Sequence, residues 1–327
     1  MRDAETNYPP LSIIIAVVSG QAALDRCLHG TYAQANEAGA EIIIPYDQIT
    51  RDVLTLSEKY PGLRFVEVPF SDELAKSTGN VSKHIHYDMR RAAGLAEARG
   101  RVIALTEDHA VPADDWCRQI LLAHAEAKGT AVIGGAVENG VDSPFNWAWY
   151  YCDFGRYGRP LARREVEYVS DVNLSYKHDA IMGVKELWQS GYHETTVHWA
   201  LTRSGEELRL DERLVVFQHR AKLPFGRALL ERIEWGRTFA ETRAAEMSMV
   251  GRMMLVIGSP ALPFILLSRA IKNMRRQGRP LSLIFQLSPL IFAFVIFWSL
   301  GEAIGYLMTS STSYPGQPAE TPVSSTL

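Results

Sequence analysis

The sequence predicts an α/β domain with a mostly parallel sheet covered by helices on both faces, followed by membrane-associated helices toward the C-terminal end. Three observations predict it. Short β-branched runs alternate with helical stretches through the first half, the rhythm of strands joined by crossover helices. Beyond residue 250 apolar residues accumulate and charges nearly vanish, apart from one basic island. The composition, 47% hydrophobic and 22% charged over 327 residues, is that of a globular chain and excludes a disordered or collagen-like one. A net charge of −3 does not point to nucleic acid as a partner. The cysteines Cys27, Cys117 and Cys152 form no CxxC pair, which argues against a disulfide framework or zinc site and fits a reducing compartment.

Leu11–Val18 (LSIIIAVV) reads as a buried strand, Ala22–Asn36 as a helix, and Glu41–Pro45 (EIIIP) as a second buried strand. Arg64–Val68 alternates and suits a position nearer an edge. Ser82–Ala98 is Ala-rich and helical, ending at Gly100. Arg101–Thr106 is the next strand, Ala113–Lys128 a helix and Thr130–Val137 a strand. An aromatic-rich loop, DSPFNWAWYYCDFGRYGRP, interrupts the pattern. Val166–Val172, a helix near Asp179–Gln189, short strands at Glu207–Leu210 and Leu214–Gln218, and an amphipathic helix Phe225–Met247 follow.

The opening MRDAETNYPP lacks a basic start and a long apolar stretch, so no secretory signal is expected and the first 250 residues are expected in the cytosol. Near the other end, Met253–Leu267 is short for a span and contains Pro260 and Pro263, which suits an interfacial or re-entrant piece. Leu281–Met308 is long enough to cross. Between them Arg269, Lys272, Arg275, Arg276 and Arg279 stand without an acid, placing that island on the cytoplasmic side and favouring anionic lipids as partners. The organisation expected is a catalytic domain over 1–222, a juxtamembrane helix over 223–252, membrane segments over 253–308 (253–267 interfacial or re-entrant, 281–308 transmembrane), and a disordered tail over 309–327.

Sheets of this class place their chemistry at the carboxyl ends of strands. Glu107-Asp108-His109 follows the Arg101 strand, and His219 closes the Leu214 strand, so carboxylates and imidazoles there suit a divalent cation. The alternative is that Glu107 and Asp108 cap the next helix. Glu194 precedes a helical stretch and suits a general base, or a first-turn Glu favoured by the helix dipole. The aromatics between Phe145 and Tyr157 suit sugar stacking, a membrane interface, or a hydrophobic plug. Lys83, His84 and His86 suit phosphate contact or a solvated basic turn.

These segments, in this order, resemble the family 2 glycosyltransferases of membrane-anchored bacterial type, inverting enzymes with a GT-A (Rossmann-like) fold that use nucleotide-activated sugars. The resemblance runs from about Leu11 to His219 and continues more loosely beyond. LSIIIAVV and EIIIPYD look like the two halves of the nucleotide pocket, implying that Asp47 contacts the base or ribose. MRRAAGLAEARGRVIALTEDHAVP looks like the stretch ending in the DxD metal motif. It implies donor contacts from Arg91 and Asp108, and a manganese or magnesium ion held by Glu107 and His109. SDVNLSYKHDA resembles the acceptor-side segment and makes Asn173 and Lys177 candidates. HETTVHWAL resembles the segment with the ED pair, His193 replacing its Glu and Glu194 standing where the base Asp stands. VVFQHR matches the late histidine, implying His219 as a further metal ligand.

Two departures bear on this. EDH is not DxD, and an imidazole in place of a carboxylate favours manganese over magnesium. The QxxRW motif of processive members is absent; RIEWGR stands nearest, with Trp235 as an acceptor-side candidate. The resemblance therefore implies transfer of a single sugar from a nucleotide-sugar to a glycan or lipid-linked acceptor at the cytoplasmic face of the inner membrane. A catalytically inactive scaffold of the same fold is the alternative. A sugar nucleotidyltransferase is disfavoured, because only Ser19-Gly20 follows the first strand where a glycine-rich phosphate loop belongs.

Overall fold

A computed structural model describes residues 8–69, 80–161, 166, 169–244 and 247–308. The chain divides into two compact units, 1–223 with 267–291, and 224–266 with 292–327. The tail expected to be disordered lies outside the described residues.

The first unit is built on β1 (Leu11–Ala16), β2 (Glu41–Tyr46), β3 (Arg64–Glu67), β4 (Val102–Glu107), β5 (Ala110–Pro112), β6 (Thr130–Asn139), β7 (Asn173–Lys177) and β8 (Glu207–Gln218), in the order β3-β2-β1-β4-β7-β6-β8-β5. The sheet is mixed, which corrects the expectation of a mostly parallel one. Four pairings are parallel, whereas β7 runs antiparallel between β4 and β6, and β5 runs antiparallel to β8. The central strands are fully buried because helices cover both faces: α1 (Gln21–Glu37), α2 (Asn80–Glu97) and α3 (Trp116–Glu126). β3 takes the edge, as its alternating pattern predicts.

Three further elements differ from the expectation. The two short strands near the end of the domain are one strand, β8, carrying an irregularity opposite Gly135/Ala136 that disguises its continuity in sequence. After Val166–Val172, to which the sequence assigns no element, the segment NLSYK, not marked as a strand in the sequence, forms β7. The aromatic-rich loop is largely helix α4 (Pro144–Asp153), with Ser143 Oγ accepting from Asn146 N and Pro144 in the first turn. Its aromatics are core, as the plug reading has it. Trp149, Tyr150 and Tyr151 are buried, Tyr150 donates to Val137 O at 3.0 Å, and the Arg279 guanidinium lies 4.2 Å from the Trp147 ring centre. The chain then passes through α5 (His178–Gly183), α6 (Lys185–Trp188) and α7 (Glu194–Arg203).

The second unit begins with α8 (Phe225–Ala244) and α9 (Met249–Gly258), the latter capped by Ser248 Oγ accepting from Gly251 N at 3.2 Å. Through a 3-10 turn at Ser259–Ala261 the helix continues into α10 (Leu262–Arg276), and α11 covers Leu281–Met308, the residues from 267 to 291 belonging to the first unit. Met253–Leu267 is therefore part of a helical run of 28 residues with mean hydropathy 1.8, and α11 has the same length with mean hydropathy 2.1. Both are long and apolar enough to cross a membrane by length and composition. The prolines do not end the first run because Pro260 sits at the start of the 3-10 turn and Pro263 in the first turn of α10, where a missing N–H costs little.

α8 packs closely on the 292–308 part of α11. A Cβ on Gly236 would collide with Trp298 O, one on Gly301 with Ile233 O, and one on Gly305 would lie 2.6 Å from Arg237 O. Backbone faces backbone at these points, so no side chain can yield. Gly301→Val is expected to lower stability by about 1–3 kcal/mol or more through overpacking, read as a lower melting temperature in detergent; an unchanged melt would contradict this packing.

Candidate functional site

The site lies at the carboxyl ends of β1, β2 and β4, where apolar strands give way to polar loops. After β1 the chain turns through Val17–Gly20, and Gly20 has φ +92°, a conformation that suits glycine. This loop is held by Asp108, which is fully buried. Its Oδ2 accepts from the N–H groups of Val18, Ser19 and Gly20 at 3.0, 2.7 and 3.0 Å. Burial pushes its carboxyl above the usual range, with the neighbouring His109 opposing. Asp108, expected to contact a donor, instead fills a nest of backbone donors with its own carboxylate, because the turn after β4 aims it back into the sheet.

Asp47 follows β2 and caps the 3-10 helix after it (Gln48–Ser57). Its Oδ1 accepts from Ile49 N and Thr50 N at 2.9 and 3.3 Å. Its Oδ2 takes Arg90 Nε at 3.0 Å and Nη2 at 2.5 Å, and lies 3.5 Å from His86 Nδ1. Arg90 also donates to Val17 O, joining the first two loops. Of the basic turn noted in the sequence, His86 belongs to this cluster, and the side chains of Lys83 and His84 lie outside those described.

Arg91, one position on, organises the second half of the site. Only 4% exposed, it donates to Glu107 Oε1 at 2.6 Å, lies 2.7 Å from Asp171 Oδ2, and 3.5 Å from Asp88 Oδ1. These carboxylates outweigh the burial that opposes its charge and hold it protonated. Burial likewise opposes ionisation of Glu107, but His109 and Arg91 hold that carboxylate down at about 2. His109 Nδ1 lies 3.5 Å from Glu107 Oε2 and 3.6 Å from Asp108 Oδ1.

Glu194 opens α7, and its Oε2 accepts from Asp171 N at 2.9 Å. Burial and then the Asp171 charge push its carboxyl well above the usual range, overriding the helix N-terminus. Asp171 is itself raised by burial, with Arg91 opposing. His193 Nδ1 lies 3.1 Å from Asp88 Oδ2, tying α7 to α2. Behind Glu194, Tyr176 Oη lies 2.7 Å from Tyr192 Oη and 2.8 Å from His198 Nε2, all three residues buried.

The expected metal ligands are brought near one another but not around a common centre. His219 N donates to His109 O at 2.7 Å, yet the His219 ring packs on Gly140 and Glu107 is engaged by Arg91. Among the described residues no group of three His, Cys, Asp or Glu side chains is arranged to hold a metal ion. As placed, these residues do not fit the divalent cation that the resemblance implies.

The acceptor-side candidates separate. Asn173 is buried, with Oδ1 accepting from Trp116 Nε1 at 2.9 Å and Nδ2 donating to Ala136 O and Leu214 O at 2.8 and 2.9 Å. Its hydrogen-bonding groups are used to lock the sheet. Because β7 is antiparallel to β4, Asn173 pairs with Thr106 at the site edge while Lys177 pairs with Val102 at the opposite edge, where it donates to Lys128 O. Trp235 belongs to the second unit, its indole N–H donating to Glu231 Oε1 at 3.1 Å. Sequence reasoning missed Asp88, Arg90 and Asp171. Asp88 and Arg91 were legible as an oppositely charged i,i+3 pair on a helix; nothing local marked Asp171.

No family model matches the chain, and no curated protein matches it. A solved structure that aligns with it is the mannosyltransferase PcManGT from Pyrobaculum calidifontis in complex with GDP-Man and Mn2+, with a TM-score of 0.45 and 14% identity, covering 95% of this chain and 78% of that one.

Proposed function

We propose that the chain is an inverting glycosyltransferase that moves a single sugar from a nucleotide-sugar to a hydroxyl of a membrane-proximal or lipid-linked acceptor, working at the cytoplasmic face of the inner membrane. One observation carries this reading. The motif segments, scattered from residue 17 to residue 194, join through direct contacts at one edge of the sheet: Val17 to Arg90, Arg90 to Asp47, Arg91 to Glu107 and Asp171, and Asp171 to Glu194. A sheet edge kept for structure alone has no need of so many half-buried carboxylates around one buried guanidinium.

In this reading Asp47, fixed by Arg90, presents the nucleoside end of the donor. Arg91 is the fixed cation nearest the charge that develops on the leaving diphosphate. Glu194 accepts the proton of the acceptor hydroxyl as that oxygen attacks the sugar from the face opposite the leaving group, which inverts the anomeric centre. Asp171 holds Glu194 through its backbone N–H and raises its basicity through its charge.

A catalytically inactive scaffold is the second reading, favoured by the absence of a metal cage among the described residues and by histidines at positions 109 and 193. Thermal melting of the detergent-solubilised protein with UDP, GDP, dTDP or CMP, each with and without manganese, separates the two. A nucleotide at a hundred times its Kd should stabilise by about 2.7 kcal/mol. A shift with one nucleotide is expected. No shift with any of them would move the assignment to the scaffold.

A further inference from the structure

The helix α11 is apolar all round in sequence but two-faced in the structure. Ile284, Leu287, Ile291, Val295, Glu302 and Tyr306 are buried at spacings of three, four or seven residues from one end to the other, while Phe285, Ile296, Leu300 and Leu307 on the other side are exposed. At 1.5 Å per residue its 28 residues run ~42 Å, and over 292–308 protein of the same unit covers one side. A helix that crosses a bilayer as a lone span meets lipid all round.

The partner that covers the 292–308 part is α8, and α8 is charged. The two helices run in the same direction, with Phe225 beside Phe294 and Arg243 Nη1 3.5 Å from Tyr306 Oη. On its outer side α8 carries the ion pair of Arg237 and Glu241 at 2.6 Å, with the Arg237 side chain 48% exposed. Hydrocarbon does not tolerate an exposed ion pair. If α11 crossed the membrane, the glycine contacts would carry α8 and these charges into the hydrocarbon with it. Other exposed residues suit lipid better: in the second unit Met254 and Ile257 of α9 are 68% and 75% exposed, and in the first unit Arg269, Lys272 and Arg275 are exposed along one flank of α10.

We propose that α11 lies in the plane of an anionic membrane, with protein on one face and acyl chains on the other, and that the chain does not cross with it. The inference rests on the membrane association in the proposed function, but not on catalysis. α8 then stays in the aqueous interface.

The test uses the full chain carrying Cys152→Ser, with Cys27 and Cys117 retained because they are buried. One further cysteine is added by Glu206→Cys on the first unit, Arg237→Cys on α8, or Met308→Cys at the end of α11. A membrane-impermeant maleimide is applied to sealed vesicles of both orientations. Arg237→Cys is expected to label from the same side as Glu206→Cys, and Met308→Cys from that side or, shielded by lipid, from neither. Labelling of Met308→Cys from the opposite side, or protection of Arg237→Cys on both, overturns the proposal, as does failure of the chain to float with vesicles containing anionic lipid. Labelling reads topology whether or not sugar is transferred, so a chain that binds no nucleotide yet labels as expected would lose the function and keep the topology.

Discussion

Glu194→Gln is expected to abolish transfer while leaving nucleotide affinity nearly unchanged. The amide keeps the size of the side chain and can still accept from Asp171 N, so the architecture at the start of α7 survives. What disappears is the proton acceptor, a contribution of about 10²–10⁴ in rate for a positioned base. The same geometry sets the pH dependence. A base works only when ionised, and burial with the Asp171 charge raises the Glu194 carboxyl well above its usual range. The rate should therefore climb with pH through that raised value and level off above it. Asp171→Asn removes the neighbouring charge and should move the acid limb to lower pH. Steady-state rates from pH 4 to 8, alongside nucleotide affinity by calorimetry, check both. Equal loss of affinity and rate in Glu194→Gln would remove this residue as the base.

The largest expected stability effect is at Arg91. Arg91→Met leaves Glu107, Asp171 and Asp88 without their buried counter-charge, and breaking a buried pair by removing one partner costs about 3–5 kcal/mol. The pH dependence has a definite sign. Glu107 is held at about 2, below its ordinary 4.5, so it contributes stability that is present above the ordinary value and fades as pH falls toward the lowered one. Without Arg91 its share of that contribution is lost while His109 keeps the rest, so wild type and variant should differ most near neutrality and draw together as pH drops through that window. Urea titrations at pH 7 and at about pH 3, well inside that window, measure the gap. A difference below about 1 kcal/mol at pH 7 would mean that the cluster is solvated and Arg91 is not its keystone.

Much of the first unit was legible because its signals are local. LSIIIAVV and EIIIP are too β-branched and too short for helices, and the Ala-rich stretch before Gly100 has a helical period and a stop. What escaped was non-local. NLSYK has no apolar run of its own, and becomes a strand only because β4 and β6 offer it two edges to pair with. The helix of the aromatic segment was announced by Ser143-Pro144, a cap followed by proline, but the density of rings masked it. At the site, sequence order picked out Asp47, Arg91, Glu107 and Glu194, which do converge. It grouped Asp108, Asn173 and Lys177 with them, but Asp108 and Asn173 are engaged in hydrogen bonds to backbone groups, and because β7 runs antiparallel to β4, Lys177 stands at the opposite edge of the sheet. Asp171 could be found only in three dimensions, because its importance comes from Arg91 and Glu194.

The insertion of β7 also bears on how the protein comes off the ribosome. β1 to β4 can pair as soon as they are made, but the outer edge of β4 finds its partner only once residue 177 has emerged, since Val102 pairs with Lys177. At translation rates of about 5–20 residues per second, that delay is roughly 4–14 s. For that time the nascent chain carries VIALTE as an open apolar edge, the kind of surface on which strands of other chains assemble. Swift engagement of NLSYK is thus as much a guard against aggregation in the cell as a step in building the site.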